Sequence, residues 1–327
     1  MLRGRWKQGI GFVGTWLLAT AAAASPTTWL WVSQPGNPAD TATGRGSVAA
    51  AYRIAATEIT NTEYTAFLDA VADEDPHDLY TLEMGSDATN GGIERSGATG
   101  SYDYSVKAGF AEKPVTYVSF WDALRYVNWL ENGMTSGGTE SGAYTLTQSA
   151  IDANSVARNA GAAFFLPSED EWYKAAYYDP SDPGAPGYFS YPAASSGQTS
   201  CSGPGSVSNT ANCFYWTTPS AVTDVGSYSG AASPFGTFDQ GGNVGEWVES
   251  IGSSGGGSGN ARGVRGGDFD HNALELSSGY VETQLPGENS VLTGFRVARA
   301  VPEPGTALLL ALGLAGCGAR RQRSQPR

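Results

Sequence analysis

The chain has 327 residues, a formal charge of −13, 40% hydrophobic and only 16% charged residues, with 44 Gly, 17 Pro and 3 Cys. These proportions fit one large domain or two small ones and exclude a disordered acidic tail, a collagen and a disulfide scaffold. All 32 acidic residues lie between Lys7 and Arg320 while the two ends hold seven of the 19 basic ones, so the body keeps 12 basic residues and about −20 net charge, which argues against nucleic acid or anionic lipid as a main partner.

The first element is an address. Arg3, Arg5 and Lys7 precede an apolar stretch from Ile10 to Leu18, and Ala22 and Ala24 form an A-x-A pattern before Ser25. Residues 1–24 therefore read as a secretory signal peptide. Strand-like pieces follow at Ser47 to Ile54 and, far along the chain, Gly294 to Ala300. Three helices are expected between them, each opened by a hydroxyl residue with an acid three positions on: Thr60 with Glu63, Ser119 with Asp122, Ser168 with Glu171. Behind these caps, Tyr64, Phe67, Leu68 and Val71, then Leu124, Val127 and Leu130, then Trp172, Ala175 and Ala176 make core-facing stripes. Long Gly-, Ser-, Thr- and Asn-rich loops are expected at 85–104, 132–143, 180–187 and 252–259. A single irregular α+β domain over 25–300 is the economical reading. In an oxidising compartment Cys201 and Cys213, the only thiols of that body, can close a loop.

The last segment, 301–327, is a second address. Pro302-Glu303-Pro304 leads into an apolar run from Thr306 to Gly318 and then Arg320, Arg321 and Arg323. Thirteen helical residues reach only about 20 Å, short of the roughly 30 Å hydrocarbon core, so the segment reads as a short transmembrane helix that anchors the chain transiently and not as a stable solitary span. The trio resembles the PEP-CTERM sorting signal, which implies transient membrane anchoring, processing by an exosortase-type enzyme, and a final place at the cell surface or outside it.

Five ordered segments of the body resemble the sulfatase-modifying-factor family, which includes the formylglycine-generating enzymes. They are Glu58 to Leu68, Pro114 to Ala123, Leu166 to Ala176, Ser233 to Trp247, and Arg265-Gly266-Gly267 closing with Gly294-Phe295-Arg296-Val297. The resemblance implies a loop-rich C-type-lectin-like α+β fold. Family oxidases bind copper through two cysteines between the Arg-Gly-Gly and Gly-Phe-Arg motifs, but here Asp268 to Thr293 contains none. Copper(I) prefers thiolates, so copper and cysteine oxidation are not expected. Relatives that hold iron with three histidines are also a poor match, because only His77 and His271 are present. No nucleophile-elbow pattern accompanies His271 for hydrolytic chemistry.

What the interval does hold is Asp268, Asp270, His271 and Glu275, candidates for a polar ligand pocket. The resemblance further implies calcium: Asp239 and Glu246 as carboxylates, Gly242 and Val244 as backbone carbonyls, and a second site beginning near Asn212. Calcium is a hard cation that takes six to eight oxygens. Another reading of the same loop pairs Glu246 with a basic residue such as Arg265. Gly245 stands where the family usually has Trp, a change expected to thin the packing beneath the loop. The functional expectation is an exported, envelope-directed binding module for protein or glycan. Its rivals are a formylglycine-type oxidoreductase and a purely structural surface or matrix protein.

Overall fold

The computed structural model describes residues 27–181, 187–214, 220–252 and 260–301. Both address segments, residues 1–24 and all of 301–327 but Val301, lie outside the described residues. Among the described residues no helix is long and apolar enough to cross a membrane.

The three expected helices form with their caps. In α1 (Asn61–Val71) the Thr60 hydroxyl accepts the Glu63 N–H and Glu63 accepts the Thr60 N–H. Ser119 with Asp122 opens α3 (Phe120–Glu131), and Ser168 with Glu171 opens α5 (Glu169–Tyr177), in the same reciprocal way. Two one-turn helices, α2 (Leu82–Ser86) and α4 (Gln148–Asp152), complete the set. The apolar stripes meet at an aromatic knot. Tyr64 and Phe67 of α1 pack on Tyr126 and Trp129 of α3, and Phe295 closes over Tyr126 at 5.3 Å.

A four-stranded sheet lies beside the knot in the order β1-β2-β12-β5, formed by Trp29–Val32, Tyr52–Ala55, Ala298–Ala300 and Phe164–Phe165, all neighbours antiparallel. The expected piece at 47–54 is thus shorter, and its partner comes from the far end of the chain. The span 85–104, expected to be loop, contributes instead to α2 and to a hairpin of β3 (Ile93–Ser96) and β4 (Asp103–Val106). Ile93 and Tyr104 alone among the hairpin's residues are buried, too few to show an alternating pattern.

The second four-stranded sheet carries the family motifs. Its order is β10-β9-β8-β11, from Glu282–Gln284, Arg262–Arg265, Gly245–Ile251 and Thr293–Gly294. Gly245 is closely packed, since a Cβ there would stand 2.7 Å from Val264 Cγ1. Neighbours have closed over the glycine, so the expected thinning beneath the loop is not found. Finally, β6 (Ser200–Cys201) and β7 (Thr210–Ala211) pair in parallel, and Cys201 and Cys213 form a disulfide.

Candidate functional site

Parallel pairing of β11 with β8 sets Gly294 against Glu246. Gly294 is required because a Cβ would lie 2.8 Å from the Val115 carbonyl and 2.9 Å from Val244 Cγ2. Phe295 then enters the knot and Arg296 turns onto Glu246. The guanidinium donates through Nε to Glu246 Oε2 at 2.5 Å and through Nη2 to Oε1 at 2.6 Å. Trp172 Nε1 donates to Oε2 at 2.7 Å. Glu246 and Arg296 are both fully buried. A two-pronged, desolvated pair of this kind is strong only because every prong is matched.

Glu246 is therefore paired with a base, as one reading of the loop had it, but with Arg296 rather than Arg265. Register does place Glu246 opposite Arg265. Arg265 instead faces the rings of Trp172 and Tyr173 and donates to the carbonyls of Ser278 and Tyr280.

Of the other expected calcium ligands, Asp239 accepts the Gly226 N–H through Oδ2 at 2.6 Å. Surrounding protein pushes its carboxyl up to about 6, with Glu246 adding to the rise and the Gly226 N–H and Arg296 opposing it. Gly242 and Asn243 take left-handed backbone, at φ 85° and 61°, so the loop doubles back tightly. That turn lets Asn243 donate its backbone N–H to Asn212 O and its side-chain N–H to Glu58 Oε1. The sequence reading missed Glu58 as a site residue. It is 1% exposed, its Oε2 has no hydrogen-bond partner, and burial followed by the charge of Asp239 raises its carboxyl well above the usual range. Its place at the head of the first family segment was the available signal. The fit to calcium is thus mixed: both oxygens of Glu246 already accept from Arg296 or Trp172, whereas an orphaned carboxylate oxygen on Glu58 stands in the same charged neighbourhood as Asp239.

The second cluster sits where β9 ends. Gly266 and Gly267 both have positive φ, 99° and 65°, and swing the chain so that Asp268 turns inward. Asp268 is 2% exposed and its Oδ1 accepts the N–H groups of Asp270 and His271. Its Oδ2 lies 3.0 Å from His271 Nδ1, and Glu282 Oε2, brought in by β10, lies 3.9 Å from the same nitrogen. The neighbouring Asp268 carboxylate is the largest cause pushing His271 up to about 9, with Glu282 and Glu275 helping and burial opposing.

Asp268 and His271 are thus brought together as candidates, Asp270 is exposed with only its backbone engaged, and Glu275 caps a 3-10 turn (Ala273–Leu276) by accepting from Asn272. Glu282 was not foreseen, because Glu-Thr-Gln carries no strand pattern. His77 is elsewhere, 3.4 Å from Glu140.

Beside Glu282 an open groove of about 560 Å³ runs between β10 and β11, lined by Gln284, Glu288, Asn289 and Ser290 among others. Residues 30–301 match the sulfatase-modifying factor enzyme 1-like domain. The chain belongs to this family. As a sulfatase-modifying-factor domain it has the family's irregular α+β fold, and its residues 300–324 match the PEP-CTERM protein-sorting motif, a signal for export and recognition by an exosortase-type system. No curated protein matches the chain. Among solved structures, CarF is similar at 20% identity and TM-score 0.53, over 85% of this chain and 99% of that one. Variable protein 1 of Treponema denticola follows at 17% identity and TM-score 0.48, covering 84% of this chain and 95% of that chain. PvdO from Pseudomonas aeruginosa has 18% identity and TM-score 0.43, covering 84% and 92%.

Proposed function

We propose that this sulfatase-modifying-factor domain is an exported, envelope-directed binding module that does not oxidise cysteine. The observation that carries the reading is the thiol inventory. The interval from Asp268 to Thr293 has no cysteine, and the two cysteines of the body are consumed by their mutual disulfide. A soft monovalent copper ion then has no pair of thiolates to join it. Aerobic incubation of a Cys-x-Pro-x-Arg peptide with the copper-supplemented protein is the test: unchanged peptide is expected, and robust aldehyde formation overturns the reading.

The groove between β10 and β11 supplies the binding face. Its lining sets carboxylates, amides and hydroxyls beside Val291 and Leu292, a chemistry suited to a glycan or to a mixed polar and apolar surface of an envelope protein. A screen against glycans and envelope proteins should give a hit that Gln284→Ala and Asn289→Ala weaken; a well-folded sample that binds nothing favours a structural role.

Calcium belongs to the same proposal, at Asp239 with the backbone oxygens of Gly242 and Val244 and with Asn212 nearby. Glu58 replaces Glu246 as the second carboxylate, on the strength of its orphaned oxygen. Calcium would neutralise two crowded carboxylates that are otherwise driven toward their protonated forms. Chelation at neutral pH should lower the melting temperature by several degrees, and an unchanged melting temperature removes calcium from the account.

A further inference from the structure

We infer that Asp268, His271 and Glu282 form a binding site for one divalent transition cation of the zinc type, distinct from calcium and from the copper chemistry of family oxidases. One ligand atom from each of the three residues lies within 4.8 Å of the others. A tetrahedral ion with bonds of about 2.0–2.1 Å needs its ligand atoms about 3.3 Å apart. The distances from Nδ1 to the two carboxylates, 3.0 and 3.9 Å, bracket that value. Glu282 has a side chain 38% exposed, free to swing toward the other two ligand atoms.

The geometry at His271 favours an ion over a simple contact. Nδ1 is buried and has no aligned hydrogen-bond partner, although a carboxylate oxygen is 3.0 Å away. Asp268, almost wholly buried, already spends Oδ1 on two backbone N–H groups, which fixes the side chain and leaves Oδ2 facing the nitrogen. His271 is held in turn by Phe214 N–H donating to its carbonyl at 2.7 Å and by the ring of Tyr280 edge-on at 5.7 Å. Three anchors from three chain segments thus preorganise the set.

The donor set selects the ion. Imidazole nitrogen is a poor ligand for calcium, whose sites are built of oxygen, and the absence of sulfur disfavours monovalent copper. One nitrogen and two carboxylates suit zinc or its first-row neighbours, with a fourth position left for water or a ligand. This inference stands on the cluster alone and does not require the groove to bind anything.

Cobalt(II), a coloured substitute for zinc, is the probe. The metal-stripped full chain is titrated with it in the presence of excess calcium, so that hard-cation sites are filled. One equivalent should bind with visible bands of a low-coordinate ion, and zinc should displace it. His271→Ala and Glu282→Gln should each weaken binding about tenfold to a hundredfold or more, with circular dichroism unchanged, while His77→Ala should leave it intact. No binding, or one equivalent that survives His271→Ala, overturns the inference. Because the readout is metal affinity, a silent glycan screen or aldehyde assay leaves it untouched.

Discussion

Two sites in this molecule set carboxylates against a cation, and they are built oppositely. At the centre, Glu246 and Arg296 meet in a dry, two-pronged pair completed by Trp172. At the rim, His271 stands between Asp268, 3.0 Å from its Nδ1, and Glu282, 3.9 Å away, with its side chain 22% exposed. The first arrangement turns both oxygens of its carboxylate on neighbouring donors, whereas the second gathers a ring nitrogen and two carboxylates at an accessible edge.

The largest effect should come from breaking the inner pair. Arg296→Met leaves Glu246 buried and uncompensated, which costs about 3–5 kcal/mol. The urea midpoint should fall accordingly, or the chain should fail to fold. His271→Ala should cost less by the same measurement, because Asp268 keeps the two backbone N–H groups that bond its Oδ1. Equal losses at the two positions would erase the distinction. Next in size is Cys201→Ser with Cys213→Ser, expected to lose about 3 kcal/mol by the chain-entropy estimate for a short loop. Part of that loss should reach the inner site, since Asn212, beside the bridge, holds Asn243, which in turn holds Glu58.

The smallest effect separates the sites by pH. Asp239 is raised to about 6, so the fold binds its proton more tightly than the unfolded chain does. That stability is full below the ordinary Asp value near 4 and is lost as pH rises through 6. His271 is raised to about 9, so its contribution is full below about 6.5 and is lost as pH rises through 9. In chelator, Asp239→Asn should flatten the stability curve in the acidic window alone and His271→Gln in the alkaline window alone. A variant that flattens the other window would show that the groups are misassigned.

Much of the scaffold could be read from local signals. Each cap lies within four residues of its partner, and each helical stripe within eleven, so Thr60, Ser119 and Ser168 announced their helices. The sites depend on longer reach. Glu246 was expected, from the resemblance, either to ligate calcium or to pair with a base such as Arg265; nothing within its own loop reveals Arg296, fifty residues later. Glu282 was invisible because a three-residue strand of Glu, Thr and Gln is defined by its register with Arg262–Val264 and not by any pattern of its own. Asp268 and His271 could be named together beforehand because they lie three positions apart in the interval between the Arg-Gly-Gly and Gly-Phe-Arg motifs.

One consequence follows from where β12 lies. The final strand of the described chain is not at an edge but between β2 and β5, and Phe295 and Arg296, just before it, complete the knot and the ion pair. A nascent chain emerging from the ribosome therefore lacks the keystone of both layers until nearly all of it has been made. Until then the place between β2 and β5 has no strand to fill it, and the pairing that closes the first sheet is among the most distant in the chain.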